Sequence, residues 1–171
     1  MKPYYEDDLV TLYHGDCLEI TEWLDADVLV TDPPYGIAWT QGGQYNTPRE
    51  AAGRKKANVV ANDQSPAVRD AAIESWGSKP AIVFGSWRIA RPPKVRQRLI
   101  WHKVKSAPGM SAAPWYSADE EIYILGQGFT GSPSQTVYPT RELRLGQHGA
   151  AATIGHPTPK PIGLMEVLIS K

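Results

Sequence analysis

At 171 residues the chain holds one domain's worth of sequence, and 42% hydrophobic side chains are enough for a real core. Equal numbers of basic and acidic side chains give a formal net charge of zero, which excludes a uniformly basic nucleic-acid binder. No apolar run approaches a membrane span, and the start Met1-Lys2-Pro3-Tyr4-Tyr5-Glu6 is no secretory signal. With Cys17 as the single cysteine, a reducing cytoplasm is the expected location. The neutral average hides a segregation. Every charged side chain from Glu6 to Asp32 is acidic, and every one from Arg88 to Lys105 is basic. A segregated basic segment can touch phosphates even when the whole chain is neutral.

In chain order, Val10 to Tyr13 reads as a short strand and His14-Gly15-Asp16 as its turn. Leu18, Ile20 and Leu24 are spaced for a short amphipathic helix over 17–24. Val28 to Thr31 is a run of apolar and β-branched residues that predicts a buried parallel strand. Pro33 and Pro34 end it, since neither can donate to a ladder. Residues 39–63 have no period and are rich in Gly and basic side chains, so a long loop is expected.

A helix follows over 66–76, capped by Ser65, with Val68, Ala72, Ile73 and Trp76 on its inner face and Gly77 at its end. Ala81 to Phe84 is a strand, 88–98 a helix restarting near Pro92-Pro93, and Leu99 to Trp101 the next strand. Trp101-His102-Lys103 and Glu121 to Leu125 are expected to pair antiparallel, with Trp115 and Tyr116 on the loop between them. The stretch 129–155 has no lasting period and carries Arg141, Arg144 and His148. Residues 156–161 are stiffened by three prolines and lead into a helix over 162–170, with Ile162, Met165, Leu168 and Ile169 as its buried stripe. Strand and helix alternating at about 20-residue intervals predict an α/β sheet.

The chemistry-bearing stretch is Asp32-Pro33-Pro34-Tyr35. A carboxylate beside carbonyls that no helix or ladder uses offers convergent acceptors for an NH2 group, and the ring offers a stacking face. In open α/β sheets ligands collect beyond the carboxyl ends of strands, where this stretch falls. A phosphate would want backbone N–H donors instead. The tetrapeptide resembles the catalytic motif of amino-group DNA methyltransferases, which use S-adenosylmethionine to methylate the exocyclic amine of a flipped adenine or cytosine.

That resemblance implies that Asp32 and the Pro33 carbonyl hold the amine within the Pro33-Pro34 turn, and that Tyr35 stacks on the base. It implies no covalent intermediate at Cys17, and the aspartate in the motif favours adenine N6. The Gly15-Asp16-Cys17 turn is similar to the family's Gly-Asp step, whose acid faces the adenine of the cofactor, although a helix N-cap explains Asp16 equally well. The segment 39–63 falls where the family has a mobile loop that closes on the target nucleotide, and a solvated insertion is the alternative. Arg54, Lys55 and Lys56 within it are expected to touch phosphates of double-stranded DNA.

The second anchor is His156-Pro157-Thr158-Pro159-Lys160-Pro161, which resembles the family's His-Pro-Thr-x-Lys-Pro element. It implies that His156, Pro157, Thr158 and Lys160 lie near the methionine part of the cofactor. With the catalytic motif first, the order resembles the permuted class. The Trp101-x-Lys103 strand also resembles the family's, but Asp119-Glu120-Glu121 lacks the histidine that often opens the next one, which weakens any role for Glu120 or Glu121. Target recognition often falls in a variable segment such as 129–155.

The resemblance to the permuted class implies a Gly-rich turn for the cofactor and an acid on the following strand after the 156–161 element, and neither is found among residues 162–171. The expectation is therefore a single incomplete domain over 1–171, part of a Rossmann-like methyltransferase sheet. Its catalytic strand would lie at an unpaired edge that favours a homodimer or a partner chain. The leading function is transfer of a methyl group from S-adenosylmethionine to the exocyclic amine of a flipped DNA base, the kind of methylation found in restriction-modification. The rival is a catalytically silent remnant that binds DNA or a cofactor-carrying subunit; methylation of protein glutamine or RNA usually shows Asn in place of Asp32.

Overall fold

The computed structural model describes residues 1–37, 60, 62–104, 118–140 and 159–171. Most of the segment 39–63, the Trp115-Tyr116 loop and residues 141–158 lie outside them. The chain begins with a small hairpin, β1 (Tyr5–Glu6) and β2 (Thr11–Leu12), that forms its own two-stranded sheet. The main sheet contains β3 (Leu29–Thr31), β4 (Ala81–Gly85), β5 (Gln97–Lys103), β6 (Asp119–Leu125) and β7 (Val137–Thr140). Their order is β3-β4-β6-β5-β7. Pairing is parallel for β3 with β4 and for β5 with β7, and antiparallel where β6 lies between β4 and β5.

Helix α1 (Ala67–Trp76) covers one face of this sheet and α2 (Ile162–Ile169) the other. Alternation along the strands supplies both layers. Val83, Tyr123 and Leu125 face Ile73 and Trp76 of α1. Ile82, Phe84, Leu99, Trp101 and Ile122 face Leu164 and Leu168 of α2. The fold is α/β with a mixed sheet between two helical layers, and the expected antiparallel pairing of β5 with β6 is present.

Several elements differ from expectation. Residues 17–24 form a turn and a short 3-10 helix (Glu22–Asp25) rather than an amphipathic α-helix. The Trp23 indole donates to the Cys17 carbonyl at 2.9 Å, and the Thr21 amide donates to Glu22 Oε2 at 3.1 Å, so the pair that would extend a helix is occupied elsewhere. Residues 88–98 are not helical. Pro92-Pro93 disfavours a helix, Lys94 sits at φ +63°, and the Arg96 amide already donates to the Ile124 carbonyl of β6.

The cap position of α1 is held by Pro66, with Ser65 Oγ 3.4 Å from the Ala67 amide. The stretch after 129 is not uniformly irregular, since β7 pairs with β5 and places Pro139 on an edge strand, where it is tolerated. The inner stripe of α2 is Leu164 and Leu168 with Met165 beside them, whereas Ile162 and Ile169 are 75% and 59% exposed. Pro161, at the helix start, is buried. Strand β3 is half-buried rather than buried, because among the described residues only β4 pairs with it.

Candidate active site

Asp32 leaves β3 at the carboxyl end of the sheet, and the turn behind it is tightly specified. The two prolines fix their own φ, and Gly36 at φ +82° reverses the chain. A Cβ on Gly36 would lie 2.7 Å from the Ser65 carbonyl carbon and 2.8 Å from the Pro66 nitrogen. Asp63, only 2% exposed, accepts from the Gly36 amide at 2.6 Å and from the Ile37 amide at 3.4 Å. The turn is thus tied to the segment that begins α1. Sequence reasoning placed Asp63 at the end of a loop; the signal it carried was an acid two residues before Ser65-Pro66.

Tyr35 folds back so that its hydroxyl donates to Asp32 Oδ1 at 2.7 Å. Lys160, arriving just before α2, places Nζ 2.9 Å from Asp32 Oδ2 and 3.1 Å from Glu120 Oε2. The same ammonium lies 3.5 Å from the Tyr35 hydroxyl. Lys103 pairs with Glu120 Oε1 and lies 4.6 Å from the Trp101 ring centroid. The sequence runs acid, base, acid, base: Asp32, Lys160, Glu120, Lys103. These four charges sum to zero at neutral pH.

Rings enclose this line of charge. Lys160 Nζ lies 4.9 Å from the Phe84 ring centroid, 5.5 Å from that of Trp101 and 6.0 Å from that of Tyr35. Trp101 is fixed by its indole N–H, which donates to Thr140 Oγ1 at 2.8 Å, and by an edge-to-face contact with Phe84. Burial would raise the Glu120 carboxyl, but the ammonium groups of Lys160 and Lys103 outweigh it and hold the carboxyl below the usual glutamate range. Burial, then the Glu120 and Asp32 carboxylates, push the Tyr35 hydroxyl far up, which keeps it a donor to Asp32.

Chemically, Asp32 is a carboxylate acceptor at the mouth of the turn, with a hydroxyl on one oxygen and an ammonium on the other. An incoming amine must share or displace one of them. Lys160 is the group with an alternative partner already in place, Glu120.

Of the other site residues, Asp16 caps its own turn, its Oδ1 accepting from the Leu18 amide at 2.9 Å. Cys17 is exposed, and its thiol is pushed up by partial burial and then by Asp16. No hydrogen bond or ion pair among the described residues joins either of them to the Asp32 network. Lys160, expected at the cofactor, is paired with Asp32 and Glu120. Glu120, discounted for want of a preceding histidine, is at the centre of the network. Arg54, Lys55, Lys56, His156, Pro157 and Thr158 lie outside the described residues.

No protein-family model and no curated protein matches the chain. Among solved structures, it is similar to the crystal structure of the M1.HpyAVI–SAM complex, with 18% sequence identity and a TM-score of 0.49. That similarity covers 92% of this chain and 74% of the other. Likeness at this level leaves function to be argued from the site itself.

Proposed function

We propose that the chain is the catalytic part of a DNA methyltransferase that transfers a methyl group to the exocyclic amine of a flipped base, with adenine N6 the favoured target. The observation that carries the reading is the presentation of Asp32. A proline-fixed turn, anchored by Gly36 and Asp63, holds a carboxylate at the end of β3 where a planar amine can reach it. Asp32 accepts one N–H of the amine and the Pro33 carbonyl the other, which turns the nitrogen lone pair away from the ring. Asp32 also takes the proton released once the nitrogen is alkylated. Tyr35 supplies the stacking face that offsets part of the few kcal/mol of base extrusion.

The methyl donor in this reading is S-adenosylmethionine, which supplies an electrophilic methyl carbon on a cationic sulfur. The residues present suit it. Asp16 is exposed and, among the described residues, engages through Oδ1, which leaves Oδ2 as an acceptor for an adenine amine. His156, Pro157 and Thr158 would flank the methionine part. Arg54, Lys55 and Lys56 would hold phosphates of double-stranded DNA.

A second reading is favoured by the edge. Val28 is 42% exposed and β3 has one partner among the described residues, so the chain would work with a second copy or with a subunit that pairs β3. Incubating the chain with tritiated S-adenosylmethionine and unmethylated duplex tests the first reading. Label recovered as N6-methyladenine is expected. Label that appears only when a second subunit is added supports the edge reading, and label on protein or RNA alone would contradict both.

A further inference from the structure

We propose that Trp87, Arg88, Arg91 and Arg98 form a surface that grips the phosphates of duplex DNA beside the active-site turn. The proposal rests on the DNA-acting reading and adds a contact surface to it. Between Ser86 and Arg98 the sequence carries five cationic residues and no acid, in a chain of zero net charge. All five are exposed.

The counter-ion beneath them is Glu121, 2% exposed on the face of the sheet opposite Glu120. Arg91 Nη2 lies 3.0 Å and Arg98 Nη1 3.1 Å from the same oxygen, Glu121 Oε1. Arg91 Nε also reaches Oε2 at 3.4 Å, an oxygen that accepts from the Tyr123 hydroxyl as well. Burial would raise the Glu121 carboxyl, but Tyr123, Arg91 and Arg98 together hold it down. It stays charged, and one buried carboxylate sits under two guanidinium groups. The surplus is one positive charge.

The arrangement leaves the arginine side chains 52% and 48% exposed while fixing where they stand. A guanidinium has five N–H donors, so one held at its base can still present others to a phosphate. Part of the side-chain freedom that binding would remove is already gone. Glycine at 85 makes this possible: a Cβ there would lie 2.3 Å from the Tyr123 ring that carries the hydroxyl to Glu121.

The cluster's position also fits. Thr31 pairs with Val83, and Gly85 with Glu121, so Asp32 and the arginine cluster emerge from the same end of the sheet. Trp87, 62% exposed, extends that end, with the Arg88 guanidinium 5.7 Å from its ring centroid. An exposed ring backed by a cation suits the sugar and phosphate of a strand whose base has been drawn into the site.

The test is duplex binding across a potassium chloride series by the unsubstituted chain, by Arg88→Gln, and by the double variant Arg91→Gln/Glu121→Gln. The double variant removes one guanidinium together with the carboxylate it shares with Arg98 and leaves net charge unchanged, so a change in its salt dependence reports contacts of this cluster rather than overall charge. Each variant is expected to flatten the slope of log affinity against log salt by about one, since each phosphate contact contributes roughly 0.9. Slopes equal to that of the unsubstituted chain overturn the proposal. If the double variant does not fold, the Arg88→Gln slope decides alone. Absence of duplex binding by the unsubstituted chain removes the surface and the DNA-acting reading together; methyl transfer with unchanged slopes removes only the surface. Loss of binding to phosphatidylserine vesicles with an unchanged duplex slope would assign the patch to lipid and also overturn the proposal.

Discussion

Glu120 shows how one residue sets the state of the site. Its carboxyl is held down by Lys160 and Lys103 against the effect of burial, so its folded value lies below its unfolded one. The sign follows. The stability contributed is present above the ordinary glutamate value of about 4.3 and is lost as pH falls through the lower folded value. Urea unfolding from pH 7 to pH 3 should show this loss. Glu120→Gln should be less stable at pH 7 by about 1–3 kcal/mol and should show a flatter acid limb. An acid limb as steep as that of the unsubstituted chain would remove Glu120 from the account.

Lys160→Met takes away one of the two ammonium groups, so carbon-13 NMR of the Glu120 carboxyl should move its titration upward. A carboxyl that titrates where it did before would mean that the pairing does not exist in solution. The turn that carries Asp32 and Tyr35 was legible at this scale, because a strand ended by two prolines is a local signal. Glu120 and Lys160 were not legible as partners. They lie 40 residues apart in sequence, and only the register of β6 and the entry to α2 bring them together.

Among the elements, the turn after β3 is the most exacting, and glycine substitutions should separate the turns. Gly36→Ala puts a side chain at φ +82° and within 2.8 Å of backbone atoms at the start of α1. It should cost about 2–4 kcal/mol by strain and displacement of the turn. Gly77→Ala has φ +81° and ψ −132° but nothing within 4 Å of the new Cβ, so it should cost only the conformational part, about 1–3 kcal/mol, and less than Gly36→Ala by the steric part. Equal shifts of the denaturant midpoint in the two variants would show that Gly36 is not held against α1. Strand positions were readable because four- and five-residue apolar runs have few other uses. Helices were not, where competing groups intervened: the Trp23 indole on the Cys17 carbonyl and the double proline at 92–93 override a helical period.

For the whole molecule, the α/β class was legible from alternation alone, and the antiparallel insertion of β6 was foreseen only as a pair with β5. Its second pairing, with β4, joins Phe84 to Ile122 and completes the core under α2. The exposed flank of β3 carries a prediction of its own. If that flank pairs with a second copy, light scattering should show apparent mass rising with concentration, and Val28→Lys, at the exposed residue entering the strand, should hold the chain to one mass. A single concentration-independent mass in the unsubstituted chain would contradict pairing between copies.

The central claim is that Asp32 acts on a base amine rather than on the DNA backbone. The most direct measurement pairs methyl transfer from tritiated S-adenosylmethionine with duplex affinity, for the unsubstituted chain and Asp32→Ala, together with any subunit found necessary. Turnover should fall by at least about 100-fold, within the 10²–10⁴ that a positioned proton acceptor contributes, while affinity changes by less than about threefold. Turnover retained in Asp32→Ala, or affinity lost in step with turnover, would contradict the account.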